Sequence, residues 1–255
     1  MSGEVVDPVV DPVDETRRIL DAATDAGVML RAIGGVAVAL QAPSIRLLSP
    51  PRSYHDIDLV GAAPRAPIER VLSGLGYDAS KRFNTLNGSE RLLFHDPGGR
   101  RVDVFLDVLR MCHRLPFRDR LPVASATLPP ADLLLSKLQI VELTERDAQD
   151  VAALLADHEL TDDDAGISLT RIAAVCGADW GWWRTVDGNL GRLIERWGAE
   201  TASGTADGSL VLGTALARAG ALRGRLATIS TTVSWRLRAV VGDRMRWYEE
   251  PEEIR

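Results

Sequence analysis

Asp56 and Asp58 stand one residue apart in Arg52-Ser53-Tyr54-His55-Asp56-Ile57-Asp58-Leu59-Val60, downstream of a Gly34-Gly35 pair. Side chains alternate along a strand, so both carboxylates face one way while Ile57 and Leu59 face the other. At a rise of about 3.3 Å per residue the two aspartate Cα atoms lie about 6.6 Å apart, near enough to share a divalent cation. One face of this strand must therefore pack and the other must present paired negative charge. That combination points to Mg²⁺ and phosphate chemistry.

The surrounding pattern predicts alternating helices and strands. A helical stretch from Glu15 to Ala26 ends at Gly27, Val28 to Ile33 reads as a buried strand, and Gly34-Gly35 separates it from a helix over Val36 to Gln41. After the Asp strand come a helix from about Ile68 to Leu75 and a hairpin turning at Asp96-Pro97-Gly98-Gly99. The return strand is expected over Arg101 to Val108, with Val102, Val104, Leu106 and Val108 on one face and Arg101, Asp103, Phe105 and Asp107 on the other. From Pro129-Pro130 onward the pattern is mainly helical, near Asp132 to Leu143, Glu145 to His158, Ser168 to Cys176 and Trp180 to Trp197. The expected organisation is a flexible lead-in over 1–14, a mixed α+β domain over 15–128 and a helical domain over 129–255.

A two-metal site needs a further carboxylate from a neighbouring element. Asp103 is the best candidate, because it interrupts an apolar strand, whereas Asp107 lies about 13 Å further along by strand rise. Aspartate is depleted in strand interiors, and here two strands each carry it in mid-run.

Gly34-Gly35, then Asp56-Ile57-Asp58, then Val102-Asp103-Val104 resemble the hGG, hDhDh and hDh signature of the DNA polymerase beta type nucleotidyltransferase superfamily. The resemblance spans about the first 110 residues. It implies a nucleotidyltransferase fold, a mixed β-sheet flanked by helices with a C-terminal helical domain. It also implies transfer of NMP from an NTP to a hydroxyl acceptor, with release of pyrophosphate and two Mg²⁺ ions as cofactor. By position, Asp56, Asp58 and Asp103 would hold the metals, Asp103 would help deprotonate the acceptor, and Gly34-Gly35 would let backbone N–H groups approach the triphosphate. The gap from Gly35 to Asp56 is longer than in minimal members, which brings the resemblance closer to the antibiotic-modifying and toxin branches. The toxin branch would add an antitoxin partner.

Two further features bear on nucleotide binding. Arg52 would meet a phosphate as a bidentate fork or sit as an exposed loop arginine. Lys137 lies within the apolar arc Leu133, Leu134, Leu138, Ile140 and Val141, so an ammonium is aimed inward and needs an anionic partner. Asp147 and Asp150 on the next helix are its expected counter-ions. The Lys137-then-Asp147/Asp150 order also resembles a pattern lining the nucleotide site of toxin-type nucleotidyltransferases. The alternative, a buried lysine–aspartate pair joining two helices, is compatible with it.

The acceptor stays open between RNA, an antibiotic hydroxyl and a protein side chain. Seven arginines against one aspartate between Ala217 and Trp247 favour RNA or a solvated face, while a net charge of −6 favours a cationic small molecule. The four histidines have no metal-ligand spacing, and Trp180, Trp182 and Trp183, after an Asp179 N-cap, read as core. No run of about 18 apolar residues and no secretory pattern is present, and Cys112 and Cys176 are far apart, so a cytoplasmic protein without membrane contact is expected. Two rivals remain: a catalytically silent nucleotide- or partner-binding module of the same fold, and a metal-dependent phosphohydrolase, which has no need of the Gly-Gly turn.

Overall fold

The computed structural model describes residues 11–201 and 206–250. Helix α1 (Pro12–Asp25) starts earlier than its apolar periodicity suggests, because the Asp11 carboxylate accepts from the N–H groups of Val13 and Asp14 and Pro12 takes the first helical position. Residues 12–14 of the expected lead-in thus belong to a helix, and residues 1–10 lie outside the described residues. Gly27, at φ +67°, follows the end of α1, and β1 (Leu30–Ile33) leads straight into α2 (Gly34–Gln41). The glycine pair is therefore the first turn of a helix.

Strand β2 (Asp56–Gly61) is followed by α3 (Ala66–Gly74), β3 (Asp78–Ala79), α4 (Lys81–Asn87), β4 (Arg91–His95) and β5 (Arg101–Leu106). The five strands form one mixed sheet in the order β1-β2-β5-β4-β3. Only β2 and β5 run parallel; the other pairs are antiparallel. The expected alternation holds on β2, where Ile57 and Leu59 are fully buried and Asp56 is exposed.

The strand expected to run to Val108 stops at Leu106. Asp107 takes the left-handed region at φ 62°, its N–H donates to the Gly61 carbonyl, and its carboxylate pairs with Arg118 at 2.9 Å. Beyond this break a small hairpin forms from β6 (Val108–Arg110) and β7 (Arg114–Pro116). Asp107 is thus turned out of the strand face on which it was placed and belongs to a separate ion pair.

Helices α5 (Pro130–Leu138) and α6 (Glu145–Asp157) follow, then the short strands β8 (Leu160–Thr161) and β9 (Ile167–Ser168). α7 (Leu169–Ala178), α8 (Trp180–Glu200), α9 (Ala206–Leu226) and α10 (Val233–Val241) are the remaining α-helices among the described residues. Helix α5 ends at Leu138, so Ile140 and Val141 fall beyond it. Helix α6 opens with a reciprocal cap, in which the Thr144 hydroxyl accepts from the Asp147 N–H and the Asp147 carboxylate accepts from the Thr144 N–H. Asp179 caps α8 as its sequence predicts, and Trp180 and Trp182 are buried behind it.

Pro129-Pro130 marks the start of α5, but one apolar cluster crosses that point, running from Ile19 in α1 through Leu59 and Leu134 to Leu226 in α9. Both cysteines are free and buried. Among the described residues no helix is long and apolar enough to cross a membrane. The architecture is mixed α/β, built on a mixed sheet with ten helices among the described residues.

Candidate active site

The β2–β5 register brings the acids of the two strands together. Asp58 is the direct partner of Asp103, and Asp56 is the partner of Arg101. Neighbouring strands are about 4.8 Å apart, so the Asp58 and Asp103 side chains rise side by side from one face. On the opposite flank β1 pairs Ile33 with Asp58, which sets the start of α2 against the same carboxylate. A Cβ built on Gly34 would stand 2.4 Å from Asp58 Oδ2, and Gly34 itself is at φ +74°. At Gly35 a Cβ would lie 2.8 Å from Arg52 Nη2, so a side chain there would have to displace the end of Arg52.

Asp56, Asp58, Gly34, Lys137 and Asp147 all line one cleft of about 650 Å³, a size suited to a small ligand. Asp56 and Asp58 have no hydrogen-bond or ion-pair partner for their carboxylates among the described residues. Burial, reinforced by the charges of Asp56 and Asp103, pushes Asp58 up to about 7, against the pull of Lys137 and Arg91. These are properties a bound cation would use, because both carboxylates, once ionised, offer acceptor oxygens that no cation of the described residues holds in an ion pair.

Asp103 is placed differently. It is fully buried, with Arg91 Nε 2.8 Å from Oδ1 and Arg101 Nε 2.6 Å from Oδ2. Among the described residues no three His, Cys, Asp or Glu side chains are gathered as a ready metal-binding group. Asp56 and Asp58 fit a divalent cation. Asp103, with an arginine on each oxygen, does not fit as a free ligand in this arrangement.

Lys137 is aimed inward as its helical position requires. Its Nζ is 2.8 Å from Asp150 Oδ2 and 3.4 Å from Asp147 Oδ1. Burial works against its charge, but Asp150 and Asp147 outweigh that cost and hold it above the ordinary lysine value, with Asp58 adding to the effect. The same Asp150 takes Arg52, through Nε at 3.1 Å and Nη2 at 3.1 Å. Arg52 is 8% exposed and lies over the Tyr54 ring, so the exposed-loop alternative is corrected. The bidentate fork expected for a phosphate grips a carboxylate on α6 instead. Arg52 and Asp150 stand behind the cleft wall rather than on it.

Sequence reasoning missed the cationic rim. Arg91, Arg101 and Arg110 line the cleft, as do Glu249 and Glu250. Arg101 shares a strand face with Asp103, so its signal was present in the alternation. Arg91 could have been found from the hairpin register, which pairs Leu93 with Asp103 and so brings Arg91 diagonally beside it. Nothing local in the sequence marks the two glutamates.

Four of the seven arginines of the basic stretch are engaged within the fold. Arg218 donates to the Leu155 and Ala156 carbonyls, Arg223 pairs with Asp187, Arg238 donates to the Gly242 and Met245 carbonyls, and Arg246 pairs with Glu250. His113 sits against Trp182, and burial pulls it down to about 4, so it is neutral at physiological pH. Compared with known protein families and with curated proteins, the sequence matches none.

The uncompensated Asp58 carries a prediction. In the fold it keeps a proton up to about pH 7, whereas an unfolded aspartate gives it up near pH 4. The folded state then binds more protons between those values, so metal-free protein should lose stability as pH rises from about 4 to about 7. Asp58→Asn should raise the melting temperature at pH 8 by about 3 °C or more, the size of roughly 1 kcal/mol in a chain of this length, and change little at pH 4. Thermal melts in EDTA at the two pH values check this; equal shifts at both would refute it.

Proposed function

We propose that this chain has a nucleotidyltransferase fold and transfers NMP from an NTP to a hydroxyl acceptor, releasing pyrophosphate, with Mg²⁺ as cofactor. The observation that carries the reading is the convergence on one cleft of the Gly34 turn, the unpaired Asp56 and Asp58, and a strand in parallel register bearing Asp103. A phosphohydrolase would use similar acids but has no need of a glycine turn packed against them.

Asp56 and Asp58 would hold the cation, which, when bound, would stabilise negative charge developing on the attacking and leaving oxygens. The chain supplies the surroundings. Gly34, the first residue of α2, lines the cleft, so the start of that helix, where an anion is favoured, borders it. Lys137, fixed from behind by Asp150 and flanked on the cleft wall by Asp147, presents an ammonium to the triphosphate. Two buried free thiols fit a reducing compartment such as the cytoplasm.

A second reading, a module that binds nucleotide without turnover, is favoured by the two arginines on Asp103. Incubation with each α-³²P-labelled NTP, Mg²⁺ and a mixture of cellular RNA, protein and small molecules decides between them. Label appearing in one fraction supports transfer and identifies the acceptor class. Nucleotide retained with no labelled product supports the silent module.

Lys137→Ala should weaken NTP binding about tenfold or more, as expected when a charge-assisted contact to phosphate is removed. Its cost in stability should be small, because Asp150 keeps Arg52 as a partner. Calorimetric titration beside a thermal melt checks this; a large fall in melting temperature with unchanged nucleotide affinity would reduce the lysine to a helix–helix tie.

A further inference from the structure

Arg91 and Arg101 use one nitrogen each on Asp103. Their Nε atoms take its two oxygens, and neither guanidinium's Nη groups have a partner among the described residues. Both side chains line the cleft, with 20% and 38% of their surface open, while the acid between them is fully covered. Arg91 is further fixed over the Phe105 ring, 4.7 Å from its centre. The unused donors are forks of the kind that meet phosphate oxygens bidentately.

Charge gives this arrangement a direction. With all three acids ionised, as a bound dication requires, Asp56, Asp58 and Asp103 bring three negative charges and the two arginines return two positive ones, so a dication arriving alone meets acids whose field is largely offset. A phosphate anion arriving alone meets arginines whose field is partly cancelled by Asp103. Each ligand therefore lowers the cost of the other's entry, and such coupling is reciprocal.

Resting on the transfer reading, we infer that Arg91 and Arg101 are an exchangeable latch: they hold Asp103 until the phosphates of a nucleotide draw the guanidiniums away, which releases Asp103 to join Asp56 and Asp58 as a ligand. The enzyme is then assembled by its donor substrate. Divalent cation without nucleotide finds only Asp56 and Asp58 of the three proposed ligands, which guards against occupation of the complete centre by free metal.

Two measurements without turnover test the latch. Tripolyphosphate binding, followed by calorimetry in EDTA, should become about tenfold tighter in Asp103→Asn and weaker in Arg91→Gln. Mn²⁺ binding without nucleotide, followed by electron paramagnetic resonance, should become about tenfold tighter in Arg91→Gln and in Arg101→Gln. Tenfold is the lower end of what one charge at contact distance does to a neighbouring ionisation. In the Arg91→Gln/Asp103→Asn double variant the gain in Mn²⁺ affinity should disappear. Each single arginine variant leaves Asp103 one arginine partner, which limits the loss of stability. Arginines that only brace the fold would lower the melting temperature without strengthening either ligand, and that result overturns the latch. Unchanged tripolyphosphate affinity in Asp103→Asn overturns it too. Either failure beside intact label transfer in the parent protein leaves the transfer reading standing, whereas absence of Mn²⁺ binding in the parent even with nucleotide present removes both.

Discussion

Asp58→Ala and Asp56→Ala are each expected to cut transfer of label from α-³²P-NTP by about a thousandfold, the scale of losing an electrostatic stabiliser of phosphoryl transfer. Both acids line the cleft and neither is tied to a cation of the protein among the described residues, so the loss should come without collapse of the fold. Ile57 and Leu59, on the buried side of the same strand, hold β2 in place whatever occupies the acid face. Circular dichroism should give a parent-like spectrum for both variants. Transfer persisting at a tenth of the parent rate in either one would remove metal-dependent nucleotidyl transfer from consideration.

Asp150→Ala is expected to have the largest effect on stability. Asp150 is fully buried and accepts from two cations that are themselves nearly covered, Arg52 at 8% exposure and Lys137 at 14%. Removing the shared anion strands two buried charges, which costs about 3–5 kcal/mol. Native stability is only about 5–15 kcal/mol in total, so the melting temperature should fall by about 10 °C. Asp147→Ala should do far less harm, because Asp147 is only 3.4 Å from Lys137 at its nearest and its other task is the α6 cap, worth about 1 kcal/mol. Similar losses in the two variants would show that Asp150 is not the shared anchor. The prediction also bears on the cleft, since Lys137 lines it while resting on Asp150.

Much of the sheet and of the acid cluster was legible because strand alternation is a local property. The placing of Asp56 and Asp58 opposite Ile57 and Leu59 needed only the period of a strand, and Asp103 stood out as an acid in an apolar run. Lys137 was visible for the same reason, as a charge on the wrong side of a helix. Asp107 was misplaced because alternation cannot report a residue that leaves the strand by turning to positive φ. Arg52 was half-read: its fork-like grip was foreseen, but its partner lies 98 residues away on α6, and nothing near Arg52 encodes that meeting. Arg91 became a neighbour of Asp103 only through hairpin register. The helical half looked separable because its local periodicity changes at Pro129-Pro130, yet α5 and α6 pack against α2 within the same core.

On the transfer reading, the hydrogen that Gly34 carries in place of a side chain would offer a way to silence the proposed reaction without touching a charge. A methyl group at that position would compete with the Asp58 oxygen for the same space. Gly34→Ala, which also strains a backbone at φ +74°, would then act as an off switch made of geometry rather than charge, and would suit experiments that need a variant electrostatically like the parent.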